Sequence, residues 1–177
     1  DRIYLTGFRG TALFTFAIDR LKGTILWERS APEVKPVVVD KRNNPASPSP
    51  AVEDNGVYVF FPDYGLIAYD GAGTERWKMP LGPFNNIYGM GASPVIVGDQ
   101  IVLSCDQSLG SLLLAVDKRT GKERWRTPRP EAKSGHATPI LWRAKDGKDE
   151  LLVPGSFLMV SYDAQTGAKR WWVRGLS

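Results

Sequence analysis

Aspartate, glycine and tryptophan recur together four times in this chain, at nearly fixed spacing within each copy. Successive tryptophans lie 46 to 50 residues apart. A carboxylate repeated in this way could mark a chemical site present in four copies, or it could belong to a repeated turn. The four copies are Asp19, Gly23 and Trp27; Asp70, Gly73 and Trp77; Asp117, Gly121 and Trp125; and Asp163, Gly167 and Trp171.

Turn chemistry explains this spacing. An aspartate at the start of a turn accepts hydrogen bonds from the backbone N–H groups that follow it. The glycine supplies the positive φ of the bulge that closes a short hairpin. Because Asp70 and Gly73 are one residue closer than Asp19 and Gly23, the second turn should be of a different type. We therefore interpret the motif as a structural device in which each tryptophan covers the edge of a neighbouring unit.

The other chemically active residue types are rare. His136 is the one histidine, and a lone histidine has no partner cluster for metal binding or nucleophilic catalysis. Cys105 is the one cysteine, so an intrachain disulfide and a Cys–His metal site are excluded. It lies in an apolar stretch and is expected to pack as a small hydrophobic residue. We predict no catalytic, cofactor-binding or metal-binding residue.

Two polar segments are candidates for ligand binding, because loops on a rigid scaffold often carry function. We expect residues 28–48 to form a mobile polar loop rather than a specific site. Residues 78–92 combine amides, an aromatic residue and glycines, which could bind a polar ligand or peptide or could pack over the mouth of a central channel. The candidate binding residues in and beside this segment are Asn85, Asn86, Tyr88 and His136.

Short β-strands must position all of these residues. Apolar stretches rich in β-branched and aromatic residues alternate with turns, and they are too short for helices. Three units begin with Ser-Pro or Thr-Pro, at Ser49, Ser93 and Thr138. Four-stranded units of this length are typical of a β-propeller. We predict an all-β propeller domain of four-stranded antiparallel blades, each ending at its tryptophan, with approximate bounds 1–27, 49–77, 93–125 and 138–171.

The composition restricts the class of function. Lys and Arg number 23 against 19 Asp and Glu, which gives a formal net charge of +4. The charges are scattered through turns, whereas a nucleic-acid-binding protein more often carries a clustered basic stripe. No apolar run reaches the length of about 18 residues that a transmembrane helix needs. We therefore expect neither a nucleic-acid partner nor a transmembrane segment.

The pattern Ala-x-Asp-x-x-Thr-Gly-x-x-x-Trp resembles the tryptophan-docking motif of the pyrroloquinoline-quinone-like (PQQ-like) β-propeller repeat family. Residues 115–125 match it in full, whereas the fourth copy has Ser161 in place of alanine and the first has Lys22 in place of threonine. The second copy lacks one residue. The resemblance covers nearly the whole chain and implies a ring of seven or eight blades.

That family contains quinoprotein dehydrogenases, which bind the quinone and calcium, and non-enzymatic propellers such as the outer-membrane assembly lipoprotein. The enzymes typically carry adjacent cysteines and an oxygen-rich calcium site, and this sequence shows neither. The resemblance favours a non-catalytic scaffold that binds protein or peptide partners without a cofactor. It implies a periplasmic or secreted location, with a membrane-anchored lipoprotein as a further option. The alternative is a fragment of a PQQ-dependent oxidoreductase, in which PQQ and calcium would bind.

The repeat is out of phase with the ends of the chain, because residues 1–5 align with second strands of later blades. Four blades are about half of the expected ring. Three explanations stay open: the chain is a fragment whose remaining blades close the ring, a second chain closes it, or the ring has four blades. We favour the fragment.

Overall fold

The computed structural model describes residues 1–35, 40–145 and 147–175, and every regular element in these ranges is a β-strand. Fifteen strands form four antiparallel sheets that follow one another along the chain. The all-β fold of successive antiparallel blades is therefore confirmed. Residues 36–39 of the long polar segment lie outside the described residues.

Neighbouring strands in each sheet are consecutive in the chain, and sheet 1 has three strands where the other sheets have four. Sheet 1 contains β1 (Arg2–Arg9), β2 (Ala12–Asp19) and β3 (Ile25–Ser30). Sheet 2 contains β4 (Ala51–Glu53), β5 (Gly56–Phe61), β6 (Gly65–Tyr69) and β7 (Glu75–Pro80). Sheet 3 contains β8 (Val95–Val97), β9 (Gln100–Cys105), β10 (Leu112–Asp117) and β11 (Glu123–Pro128). Sheet 4 contains β12 (Ile140–Arg143), β13 (Asp149–Gly155), β14 (Leu158–Asp163) and β15 (Lys169–Arg174).

The last strand of each sheet continues three residues past its tryptophan. The prediction that these strands end at the tryptophan was therefore wrong. In sheet 1, for example, Arg29 and Ser30 still lie opposite Thr15 and Phe14 of β2. Pairing of their backbone groups with β2 stabilises the longer strand, since an unpaired N–H or C=O group is costly.

A β-bulge precedes the repeated turn in every sheet. The register shifts just after the small residue that stands two positions before each aspartate, and that residue lies directly opposite the tryptophan. The small side chain leaves room for the indole ring on the same face. The opposed residues are Ala17 and Trp27, Ala68 and Trp77, Ala115 and Trp125, and Ser161 and Trp171.

Three hydrophobic clusters fill the spaces between consecutive sheets. Sheets 2 and 3 therefore have both faces covered, whereas sheets 1 and 4 each have one covered face. Cys105 packs as a buried hydrophobic residue in the cluster between sheets 2 and 3. Representative residues are Leu13 and Phe61 between sheets 1 and 2, Phe60 and Leu103 between sheets 2 and 3, and Leu113 and Val160 between sheets 3 and 4.

The first strands of sheets 2, 3 and 4 lie together at one edge of the stack, where β8 contacts both β4 and β12. A row of hydrogen bonds joins the residues just before these strands. The backbone N–H of Ser49 donates to Ser93 Oγ at 2.9 Å, and the N–H of Ser93 donates to Thr138 Oγ1 at 2.9 Å. The hydroxyls of Ser93 and Thr138, each just before a proline, thus link their sheet to the preceding one.

Candidate functional site

The repeated tryptophans contact the glycine turn of the following sheet. A Cβ atom at Gly73 would lie 2.7 Å from the ring of Trp27, and one at Gly121 would lie 2.6 Å from the ring of Trp77. Trp125 covers Gly167 in the same way. These glycines also have positive φ, so both the backbone conformation and the close approach of the ring require glycine.

The repeated aspartates are occupied by their own turns. Oδ1 of Asp117 accepts the N–H groups of Arg119 at 3.0 Å and Thr120 at 2.8 Å, and Asp19 and Asp163 bind the corresponding groups. Asp70 instead accepts from the second and fourth residues after it, so the shorter turn does differ. A hydrogen bond from Arg124 holds the pKa of Asp117 well below its usual range. These carboxylates are not available as a repeated chemical site.

Trp171 differs from Trp27 and Trp77 in the acceptor of its indole N–H group, whereas the buried Trp125 N–H has no acceptor among the described residues. The indole N–H groups of Trp27 and Trp77 donate to backbone carbonyls of the next sheet, at 3.1 and 2.9 Å. The Trp171 N–H donates instead to Glu150 Oε2 of its own sheet at 2.9 Å. Glu150 is buried and also accepts from the Ser161 hydroxyl, which lowers its pKa.

One end of the stack gathers the connections between sheets and the longer hairpin loops. The carbonyl of Asn85 accepts the N–H of Ser108 at 2.7 Å, which ties the connection after sheet 2 to a hairpin loop of sheet 3. The N–H of Lys133 donates to Ser156 Oγ at 3.0 Å, which makes the same kind of tie one sheet further on. We call this end the loop face.

A small cleft on the loop face brings together residues from three connections. The rings of Tyr88 and His136 lie 6.2 Å apart, and the Arg42 guanidinium lies 5.1 Å from the centre of the Tyr88 ring. Asp40 pairs with Arg42 at 2.7 Å, and hydrogen bonds from Arg42 lower the pKa of Asp40 to about 2. The amide of Asn43 donates to the Tyr88 carbonyl at 2.7 Å. This Arg42–Tyr88–His136 cleft has a volume of about 280 Å³.

The two asparagines among the predicted binding residues lie outside the cleft lining. Asn86 is buried: its amide donates to the Asp106 carbonyl at 3.1 Å, and its Oδ1 accepts the N–H of Tyr88 at 3.1 Å. Asn85 bonds to the sheet 3 hairpin loop through its backbone, including an N–H donated to Gln107 Oε1 at 2.8 Å. The structure therefore brings Tyr88 and His136 together, while Asn85 and Asn86 support the segment that carries Tyr88.

Sequence reasoning missed Arg42, Asn43 and a buried ion pair beneath the loop face. Arg129 Nε and Nη2 donate to the two carboxylate oxygens of Asp106 at 2.7 and 2.9 Å, and Nη1 donates to Tyr162 Oη at 2.7 Å. Both charged side chains are almost fully buried. An acidic residue after one strand and an arginine after another carry no local signal that they pair.

The residues present do not fit the quinone and calcium that some propellers bind. Among the described residues no group of three or more His, Cys, Asp or Glu side chains could hold a metal ion. Cys105 has no cysteine partner, and burial raises the pKa of its thiol to about 12. The cleft offers a guanidinium, a phenol and an imidazole, which can donate and accept hydrogen bonds and stack.

Among residues 1–35, 40–145 and 147–175 there is no helix with the length and apolar character needed to cross a membrane.

No protein-family model matches the chain, and no curated protein matches it in sequence. Solved structures do match. BamB from Moraxella catarrhalis is 18% identical with a TM-score of 0.63, over 98% of this chain and 50% of that chain. A quinohemoprotein alcohol dehydrogenase from Pseudomonas putida HK5 is 17% identical with a TM-score of 0.63, over 96% of this chain and 33% of that chain. The corresponding enzyme from Comamonas testosteroni is 14% identical with a TM-score of 0.64, over 96% of this chain and 34% of that chain.

The likeness is one of fold, because the identities are low. The chain spans about half the length of BamB and about a third of each dehydrogenase. It has the propeller architecture common to these structures, and residues of the cleft and of the buried ion pair must be judged on their own chemistry.

Proposed function

We propose that this chain is a non-catalytic β-propeller scaffold that binds a protein or peptide partner through its loop face. The observation that carries the proposal is the convergence of Arg42, Tyr88 and His136 from three separate connections on one cleft. These three side chains are exposed. The Thr6 hydroxyl of β1 donates to carbonyls of the Arg42 segment, and backbone hydrogen bonds tie the segments of Tyr88 and His136 to hairpin loops.

The size of the cleft favours recognition of a surface over enclosure of a small molecule. Its volume of about 280 Å³ lies just below the range of roughly 300–1,000 Å³ that is typical of small-molecule pockets. Arginine and tyrosine are enriched where proteins bind one another, because they combine a large apolar contact area with hydrogen-bonding groups.

The arrangement is also held in place before any partner arrives. Asp40 orients the Arg42 guanidinium, and Asn43 fixes the backbone that carries Tyr88. Such preorganisation lowers the entropy that binding would otherwise cost. We place this function outside the cytoplasm of a bacterium, in the periplasm or secreted, as the propeller resemblance suggests; the single buried cysteine is compatible with that location.

A displayed library of random dodecapeptides selected on the purified chain tests the proposal. We expect selected peptides to lose about tenfold or more in affinity for the Arg42→Ala/Tyr88→Ala variant, as fluorescence anisotropy would measure. Arg119→Ala, an exposed arginine at the opposite end of sheet 3, is the control and should bind normally. Failure to enrich any peptide, or equal affinities for all three proteins, would contradict the proposal.

A further inference from the structure

The hairpin loop of sheet 3 is longer than its counterparts on the loop face. It spans residues 106–111 between β9 and β10, whereas the corresponding loops span residues 10–11, 62–64 and 156–157. In repeat proteins, insertions into individual repeats often build the binding face. The extra residues place Leu109 at the tip of this loop, with 83% of its surface exposed.

Hydrogen bonds within the loop hold Leu109 in this exposed position. The N–H of Gln107 donates to Ser111 Oγ at 2.9 Å, and the Ser111 hydroxyl donates back to the Gln107 carbonyl at 2.8 Å. The Gln107 amide donates to the Gly110 carbonyl at 3.2 Å. The loop is therefore closed on itself, and a large apolar side chain is presented to solvent from a fixed frame.

A cavity of about 180 Å³ lies between this loop and the segment that follows β11. We call it the Leu109 pocket. An apolar cavity of roughly 150 Å³ can hold a benzene molecule, so this one can hold one leucine or phenylalanine side chain. Its lining is mainly apolar and consists of Ser108, Leu109, Gly110, Ser111, Pro128, Pro130, Ala132 and Lys133.

The two walls of the Leu109 pocket are fastened to each other. Arg129 lies between Pro128 and Pro130 of one wall, and its guanidinium binds the Asp106 carboxylate at the base of the other. The backbone N–H of Arg129 also donates to the Ser111 carbonyl at 2.8 Å. A cavity with fixed walls does not collapse when empty, and it imposes little ordering cost on a side chain that enters it.

The rim of the pocket carries one positive charge. Lys133 is exposed, and within the described part of the chain no ion pair involves its ammonium group. The nearby Glu131 is already paired with Lys169 at 2.6 Å. A ligand with a carboxylate at the rim would therefore meet a complementary charge.

We propose that the Leu109 pocket receives a large apolar side chain of a partner peptide, with an adjacent acidic residue pairing with Lys133. This inference rests on the proposed function, since it names the chemistry of the partner. A concave pocket beside a single cation suits a peptide, whereas adsorption to an anionic membrane typically uses several cations around a convex apolar face.

Three labelled dodecapeptide pools provide the test, with random flanks around a fixed central Leu-Glu, Leu-Lys or Ser-Glu pair. The Leu-Glu pool should bind about tenfold more tightly than the other two. Leu109→Ala/Lys133→Glu should remove this preference, and Lys133→Glu alone should shift it toward the Leu-Lys pool. The matched control is Leu21→Ala/Lys22→Glu in the turn of sheet 1, where Leu21 is 79% exposed; it should keep the preference.

Equal binding of the three pools, or equal loss in the control variant, would overturn the inference. Leu109-dependent binding to vesicles of phosphatidylcholine and phosphatidylglycerol, with no pool preference, would overturn it in favour of a membrane. If Arg42→Ala/Tyr88→Ala weakens peptide binding while Leu109→Ala/Lys133→Glu leaves it unchanged, the proposed function stands and this inference fails. If no pool binds any variant, both fail.

Discussion

The turn glycines of this chain have one conformation but two different surroundings. Gly23 has a φ of 67° and Gly121 a φ of 71°, so both are left-handed. A Cβ at Gly23 would meet no atom within 4 Å, whereas one at Gly121 would overlap the Trp77 ring. The pair therefore separates the cost of the backbone conformation from the cost of displacing the ring.

We expect Gly23→Ala to lower the free energy of unfolding by about 1–2 kcal/mol, the cost of a left-handed alanine. Gly121→Ala should cost a further ~1–3 kcal/mol, because the added methyl group displaces a packed indole. Urea denaturation of both variants measures the difference. Equal losses would show that the contact between Trp77 and Gly121 contributes nothing.

The lowered pKa of Asp163 makes the stability of the fold depend on pH in the acid range. Partial burial raises its pKa, but hydrogen bonds from Arg170 and Thr166 outweigh burial and hold the pKa at about 2. Because this value lies below the unfolded value of about 3.9, the stabilisation is present above pH 4 and is lost as the pH falls toward 2.

Between about pH 4 and pH 2, the window set by those two pKa values, the free energy of unfolding should fall with decreasing pH. We expect this fall to be less steep in Asp163→Asn than in the unmodified chain. Asp54→Asn, at an exposed turn position, is the control and should leave the slope unchanged. Urea titrations at a series of pH values provide the measurement. An unchanged slope in Asp163→Asn would contradict the expected contribution of this carboxylate.

At the scale of single residues, contacts between near neighbours in the sequence could be predicted, whereas contacts between distant residues could not. The turn between Asp117 and Gly121 could be predicted because its bonds join residues a few positions apart. Asp106 and Arg129 are 23 positions apart, and only the pairing of β9 and β11 on either side of β10 brings them together. Glu150 as the acceptor for Trp171 was missed for the same reason.

At the scale of elements, the buried pair of Arg129 and Asp106 connects segments of sheet 3 with sheet 4. Arg129 follows β11, Asp106 follows β9, and Tyr162 lies on β14 of the next sheet. Arg129 Nη2 also donates to the Pro154 carbonyl near the end of β13. One side chain therefore fixes the loop face of sheet 3 to sheet 4.

We expect Arg129→Met to lower the free energy of unfolding by about 3–5 kcal/mol, because it leaves the Asp106 carboxylate buried without a partner. The double change Arg129→Met/Asp106→Leu should cost less than the sum of the single changes, since it removes both charges. The control is Arg126→Met, which breaks an exposed pair with Glu123 and should cost about 0–1 kcal/mol. Additive losses in the double variant would contradict this account.

The ends of the elements were harder to predict than their existence. Glycine-containing turns marked the hairpins, but the extension of β3 and β7 past their tryptophans depends on partners in β2 and β6. The cleft was half predicted: Tyr88 and His136 were named from their segments, whereas Arg42 reaches them only through the tertiary placement of a long connection.

Across the whole molecule, protection from solvent is uneven. Every residue of β5, β6 and β9 is buried, whereas β1 and β15 are largely exposed. The repeated motif made the four-unit architecture readable from the sequence, because each unit uses the same turn and the same tryptophan. The difference in burial between units follows from their positions in the stack.

We expect backbone amides of β5, β6 and β9 to exchange with deuterium slowest, because their exposure requires separation of two packed interfaces. Amides of β1 and β15 should exchange faster, because each is an edge strand paired on one side and lies in a sheet with one covered face. Native-state hydrogen exchange followed by mass spectrometry measures both. Protection of β1 equal to that of β5 would contradict the expected gradient.

The hydroxyl row that joins Ser49, Ser93 and Thr138 has a geometrical consequence. The two junctions among sheets 2, 3 and 4 are each held beside the first strands by a hydrogen bond of 2.9 Å and beside the last strands by an indole packed on a glycine. These two contacts fix the placement of one sheet against the next, while the side chains packed between them differ: Tyr58 and Phe60 lie at the first of these junctions, and Val153 and Val160 lie at the second. Substitutions among the side chains between the sheets should therefore be tolerated as long as the contacts at both edges are kept.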